Sequence, residues 1–326
     1  MIISKTPYRI SFFGGGSDYP NWYNRFSGKV ISTTINKYLY LTLKKPPIYF
    51  NHKYKISYKI TEYENYLKNI KHPVVREMLR HLKISHEMEI NYDGDLPSRS
   101  GMGSSSSFVV GLMIALMKFK GKKISKFSLA KESINFEQKI LKEIVGVQDQ
   151  VAASYGGFNL IKFNKKKIFE INSFRKAEDF KKKLNKNLFL IYTGKQRMAH
   201  KIAKTYAGNL SKEKYNNIKE ILDITSEAET VIKKNKPDEF GKLLHDAWNV
   251  KKSLSYSISN SKIDELYDYG IQNGANGGKL LGAGGGGFIL FYVPKKNQKN
   301  FKKKIGANKT ISFNFENDGS QIILSK

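Results

Sequence analysis

Pro97-Ser98-Arg99-Ser100-Gly101-Met102-Gly103-Ser104-Ser105-Ser106-Ser107 runs straight into the apolar stretch Phe108 to Met117, so a loop of glycines and hydroxyls opens a buried helix. At such a junction the first helical N–H groups lack acceptors, glycine admits close approach of a ligand, and the helix dipole favours negative charge. The segment reads as an anion site, with hydroxyls that can also ligate a metal. A solvated turn with a serine N-cap ahead of a core helix explains the same letters. Two further glycine clusters favour the site: Pro7 to Pro20, containing Gly14-Gly15-Gly16-Ser17-Asp18-Tyr19, and Gly277 to Gly287, containing Gly282-Ala283-Gly284-Gly285-Gly286-Gly287.

A chain of 326 residues with 40% apolar content can bury a sizeable core, and its length suggests two domains. No apolar run reaches the ~18 residues that a membrane helix needs, and the first residues lack a secretory pattern. A soluble cytoplasmic protein with no membrane partner is expected. The absence of cysteine excludes disulfides, thiolate metal sites and cysteine nucleophiles. The six histidines show no metal-ligand spacing. A net charge of +29 invites a nucleic-acid reading. The lysines are nevertheless dispersed, in Lys165-Lys166-Lys167, Lys181-Lys182-Lys183, Lys233-Lys234 and Lys302-Lys303-Lys304, with no basic arm or recognisable motif. No specific nucleic-acid partner is expected, and attraction of anionic substrates is the more modest consequence.

Apolar periodicity predicts strands over Ile2 to Phe13, Lys29 to Ile35, Tyr38 to Lys44, Glu87 to Tyr92, Phe158 to Phe163, Asn187 to Tyr192 and Phe288 to Val293. It predicts helices over Val74 to Leu82, Ser104 to Phe119, Ser125 to Leu141, Val147 to Ala153 and about 211–233, 237–256 and 261–273, then a lysine-rich helix and two terminal strands. The third glycine cluster thus follows a helix and opens a strand. Gly282, Gly284 and Gly287 fit Gly-x-Gly-x-x-Gly, but a dinucleotide fingerprint follows a strand and opens a helix, so the nicotinamide reading fails. The common P-loop pattern is absent.

All three clusters, in order and spacing, resemble those of the GHMP kinase superfamily: Pro7 to Tyr19, Pro97 to Ser107 with Met102 where the family has leucine, and Lys279 to Gly287. The Gly14-Gly15-Gly16-Ser17-Asp18 version of the first cluster is most similar to the heptose 7-phosphate kinase branch. Galactokinases carry Gly-Glu-His at the Gly14 to Gly16 positions, which counts against galactose. The resemblance implies a two-domain α/β (α+β) fold. An N-terminal mixed domain with a left-handed βαβ unit would span residues 1–185, and a ferredoxin-like C-terminal domain would span residues 186–326.

It further implies ATP and Mg2+ as cofactors, and phosphorylation of the anomeric hydroxyl of D-glycero-D-manno-heptose 7-phosphate to the 1,7-bisphosphate. Pro97, Ser100, Gly101, Met102, Gly103, Ser104, Ser105 and Ser106 would hold ATP, with Ser105 and Glu137 on the metal. Asp149 would accept or orient the sugar proton, and Arg9 would neutralise charge on the transferred group. Gly14, Gly15, Gly16, Ser17, Asp18, Arg197, Gly284 and Gly285 would bind substrate, with Arg197 on the 7-phosphate and Arg99 and Lys279 as weaker choices. A kinase for another sugar such as fucose, a catalytically silent sugar sensor of the same fold and a nucleic-acid binder remain as alternatives. The oligomeric state is not legible.

Overall fold

The computed structural model describes residues 1–194, 199–306 and 309–326. Along the first half run β1 (Ile2–Phe13), α1 (Pro20–Tyr23), β2 (Gly28–Lys44), β3 (Tyr54–Ser57), β4 (Thr61–Glu64), α2 (Pro73–His81), β5 (Met88–Gly94) and α3 (Ser104–Phe119). Next come α4 (Lys126–Asn135), α5 (Gln148–Tyr155), β6 (Asn159–Phe163), β7 (Glu170–Ser173), α6 (Glu178–Asn187) and β8 (Leu188–Tyr192). Then follow α7 (Ala199–Tyr206), α8 (Tyr215–Lys233), α9 (Pro237–Lys252), α10 (Ser261–Gln272), β9 (Gly277–Leu280) and β10 (Phe288–Tyr292). The chain closes with α11 (Gln298–Ile305), β11 (Thr310–Ile311), β12 (Phe315–Glu316) and β13 (Gln321–Ser325).

The first sheet runs β13-β1-β2-β5-β3-β4, with β6 and β12 also on β2 and β7 on β6. β3 and β5 pair in parallel across α2, and the other pairings of this sheet are antiparallel. β2 is one strand where two were expected. The register jumps from Pro7 opposite Tyr38 to Tyr8 opposite Ile35, so Asn36 and Lys37 bulge, and their polar letters imitate a break. The second sheet, β11-β8-β10-β9, is antiparallel throughout.

The sheets are joined by α9, whose Phe240 ring meets Phe12 at 5.2 Å and Phe13 at 4.9 Å, both edge-on, while the helix also packs on β9. A single cut at 185/186 does not separate the sheets, because β12 and β13 return to pair with β2 and β1. The expected helix Ser125 to Leu141 is α4 followed by a π-helical turn over Phe136–Ile140. That turn carries Glu137 inward to 1% exposure. The third glycine cluster follows α10 and opens β10, as expected, but its first residues are themselves a strand: β9 and β10 form a hairpin with the later glycines in its turn. No helix among the described residues is long and apolar enough to cross a membrane.

Candidate active site

Arg9 is fixed from both ends. On β1, its backbone N–H donates to Met102 O at 3.0 Å, and its guanidinium donates from Nη1 to Gly101 O at 2.7 Å. The same guanidinium forms a two-pronged pair with Asp149, Nε to Oδ1 at 2.7 Å and Nη2 to Oδ2 at 2.8 Å. This fork geometry is what arginine offers and lysine cannot. Asp149 lies in the first turn of α5, so one side chain ties together the sheet, the serine-rich loop and a helix N-terminus.

The pair lines a cavity of about 460 Å³. Gly101, Gly103, Ser104, Ser105 and Ser106 line it too, as do Gly14, Gly15, Gly16, Asp18 and Gly284. Gly103, with φ of 75°, is the N-cap of α3 and turns the chain so that the first helical turn faces the cavity. Gly101 and Gly282 bring the second and third loops into backbone contact, since a Cβ on Gly101 would lie 2.5 Å from Leu281 O and one on Gly282 2.5 Å from Gly101 Cα.

Several expected residues stand off the cavity wall. Met102 and Ser100 are fully buried behind the loop, and Pro97 precedes it, because the chain must anchor on its inner side to hold the glycines outward. Ser17 closes its own turn, its hydroxyl bonding Gly14 O at 2.8 Å and Lys29 O at 3.1 Å. Gly285 is spent on structure, its N–H donating to Ile258 O at 2.7 Å. Arg197 lies outside the described residues.

Asp18 is 1% exposed, and its carboxylate accepts the backbone N–H groups of Gly16 at 3.1 Å and Gln148 at 3.3 Å. Burial, with repulsion from Asp149, pushes its carboxyl up to about 6 in spite of these donors. Gly146 permits this approach, since a Cβ there would fall 1.9 Å from Asp18 Oδ2.

Glu137 is also enclosed. Burial pushes it up to about 8, with Glu143 and Asp149 adding repulsion while Gln150 and Ser106 donate to it. The hydroxyl beside it belongs to Ser106, at 3.0 Å from both carboxylate oxygens; Ser105, the expected partner, is exposed one residue earlier on the helix. Residues one apart on a helix point about 100° from each other, so only one of the two can face Glu137.

Two cations complete the wall, Lys279 from β9 and Lys251 from the last turn of α9. Reading of the sequence passed over Lys251. Its signal was position: it shares a helical face with buried Leu244, Ala247 and Trp248, where a solvated lysine does not belong. The nucleotide fit is direct, since exposed first-turn N–H groups of α3 with flanking hydroxyls match phosphate oxygens. A hard divalent cation fits as well: Ser106 and Glu137 supply oxygen donors, and no cation pairs with Glu137 among the described residues.

The family described as GHMP kinases N terminal domain matches residues 65–157, and GHMP kinases C terminal matches residues 228–309. The D-glycero-alpha-D-manno-heptose 7-phosphate kinase of Campylobacter jejuni subsp. jejuni serotype O:2 is 29% identical over 335 residues, covering 98% of this chain and 97% of that protein. The mevalonate kinase of Methanocaldococcus jannaschii is 30% identical over 253 residues, covering 74% of this chain and 73% of its own. Among solved structures, a D-glycero-D-manno-heptose 1-phosphate kinase from Bacteriodes thetaiotaomicron shares the fold with a TM-score of 0.80 over 100% of both chains, at 21% identity.

Proposed function

Because this chain belongs to the GHMP kinase family and is an ATP-dependent kinase, we propose that it phosphorylates the anomeric hydroxyl of a heptose 7-phosphate, giving the 1,7-bisphosphate. The observation that carries the reading is the Arg9–Asp149 fork, held between the α3 N-terminus and buried Asp18 in one cavity. The match to the Campylobacter kinase over nearly the full length of both chains supports the acceptor class.

Asp18 holds a sugar hydroxyl, and its fixed position orients the ring. Asp149 accepts the proton of the anomeric hydroxyl as that oxygen becomes the nucleophile; each carboxylate oxygen engaged by Arg9 keeps a second lone pair for this purpose. When bound, ATP supplies the γ-phosphoryl group, which passes in line to the sugar oxygen as the bridging P–O bond breaks and ADP leaves. The α3 N–H groups and Arg9 face the charge that spreads over the phosphoryl oxygens. Ser106 and Glu137 would hold Mg2+, which offsets phosphate charge.

ADP release with ATP and Mg2+ is measured across D-glycero-D-manno-heptose 7-phosphate, mannose, fucose, galactose and mevalonate, beside Asp149→Asn. Turnover of the heptose phosphate that collapses in the variant is expected. Turnover confined to an unphosphorylated sugar replaces the acceptor, and silence on every substrate overturns the heptose phosphate assignment.

A further inference from the structure

Lys251 and Lys279 take no part in the proton transfer, yet both reach the cavity. Lys279 is 6% exposed, and its ammonium donates to Phe12 O at the end of β1, directly before the turn that leads to Asp18. Lys251 donates to Leu280 O at 3.0 Å and to Gly282 O. An ammonium carries three N–H bonds. Among the described residues, two on Lys279 and one on Lys251 therefore have no acceptor.

No carboxylate pairs with either lysine among the described residues, whereas Arg9 is matched by Asp149. Burial, then repulsion from Arg9, pushes Lys279 down to about 7; burial, then repulsion from Lys279 and Arg9, holds Lys251 well below its ordinary value. Two desolvated cations side by side are costly unless an anion arrives to share them. The cavity that both lysines reach is lined as well by Gly14 to Gly16 and Asp18, and by Tyr206 of α7, Ile221 of α8 and Leu254. The nucleotide's phosphates already have the α3 N-terminus and Arg9.

We propose that Lys251 and Lys279 form a phosphate subsite on the acceptor side, taking a phosphomonoester carried by the sugar and so selecting the phosphorylated acceptor over its unphosphorylated form. This rests on the sugar-phosphate reading above.

The test compares wild type with Lys251→Met and Lys279→Met, which keep the length of the side chain. Each is assayed with D-glycero-D-manno-heptose 7-phosphate and with D-glycero-D-manno-heptose, and the sugar phosphate is titrated calorimetrically without nucleotide. The ratio of kcat/KM between the two acceptors is independent of the fraction of each variant that folds. It is expected to fall about tenfold to a hundredfold, with the loss in KM for the phosphorylated acceptor and in calorimetric affinity, and the Arg variants are expected to recover part of it. Variants that keep the wild-type ratio overturn the subsite while leaving the acceptor assignment standing. Equal losses on both acceptors overturn it too, by placing the lysines on the transferred phosphoryl group. A wild type that shows no preference for the phosphorylated heptose removes the acceptor reading and the subsite with it.

Discussion

Asp18→Asn is expected to make the protein more stable and much less active. Burial raises the Asp18 carboxyl from 3.8 to about 6. The folded state therefore holds this proton more tightly than the unfolded chain does. The carboxylate costs stability above the folded value, and the cost disappears as pH falls below the unfolded value. A shift of roughly 2 pH units corresponds to about 3 kcal/mol at pH 7.5, shrinking to about 1 kcal/mol at pH 4.5. Asparagine keeps the shape, but the N–H groups of Gly16 and Gln148 meet different carboxylate oxygens and its single amide oxygen can accept only one of them, which offsets about 1 kcal/mol of the gain at either pH. Guanidinium denaturation of wild type and variant at both pH values reads the difference, and ADP release reads the activity. A variant that is less stable at pH 7.5, or a stability gain that does not depend on pH, would refute the reasoning. So would a stabilised protein with undiminished turnover, because Asp18 would then be a strained core residue and nothing more.

Other expectations follow from the same geometry. Arg9→Met strips the fork from Asp149 and the bond to Gly101 O. Chemical denaturation should show a loss of about 3 kcal/mol, and kcat should fall about 100-fold or more. Gly146→Ala must displace Asp18, and kcat/KM for the acceptor should drop about tenfold with a stability loss of about 1 to 3 kcal/mol in a thermal melt. Ser106→Ala should raise the Mg2+ concentration for half-maximal ADP release more than Ser105→Ala does, because only Ser106 touches Glu137.

The three glycine clusters and the helix that opens at Ser104 were legible because they are local: hydroxyls, glycines and an apolar run state a loop-to-helix junction by themselves. Arg9 and Asp149 are 140 positions apart, and only the resemblance put them together. What the letters hid depends on angle and on distant neighbours. Ser104 to Ser107 read as equivalent hydroxyls, and helical rotation decides that Ser106 faces Glu137. The π-helical turn at Phe136 has no letter of its own, since α4 and the turn share one apolar pattern. Lys251 looked like one lysine among many until α9 was laid against β9. The hairpin of β3 and β4, unrecognised in the sequence, carries exposed Tyr63 and Ile60 at a sheet edge where alternation is weak.

The pairing of β13 with β1 has a temporal meaning. Ile2 meets Ser325 and Lys5 meets Gln321, so the strand that carries Arg9 keeps an open edge until residues more than 300 positions later have been made. Backbone groups on that edge must stay clear of other nascent strands throughout synthesis, and such long-range closure is slow. Only Ile2 to Lys5 wait for this partner; Arg9, farther along the same strand, is flanked by Thr34 and Met102, so the half of β1 that carries the site is enclosed by residues made long before the half that closes the edge.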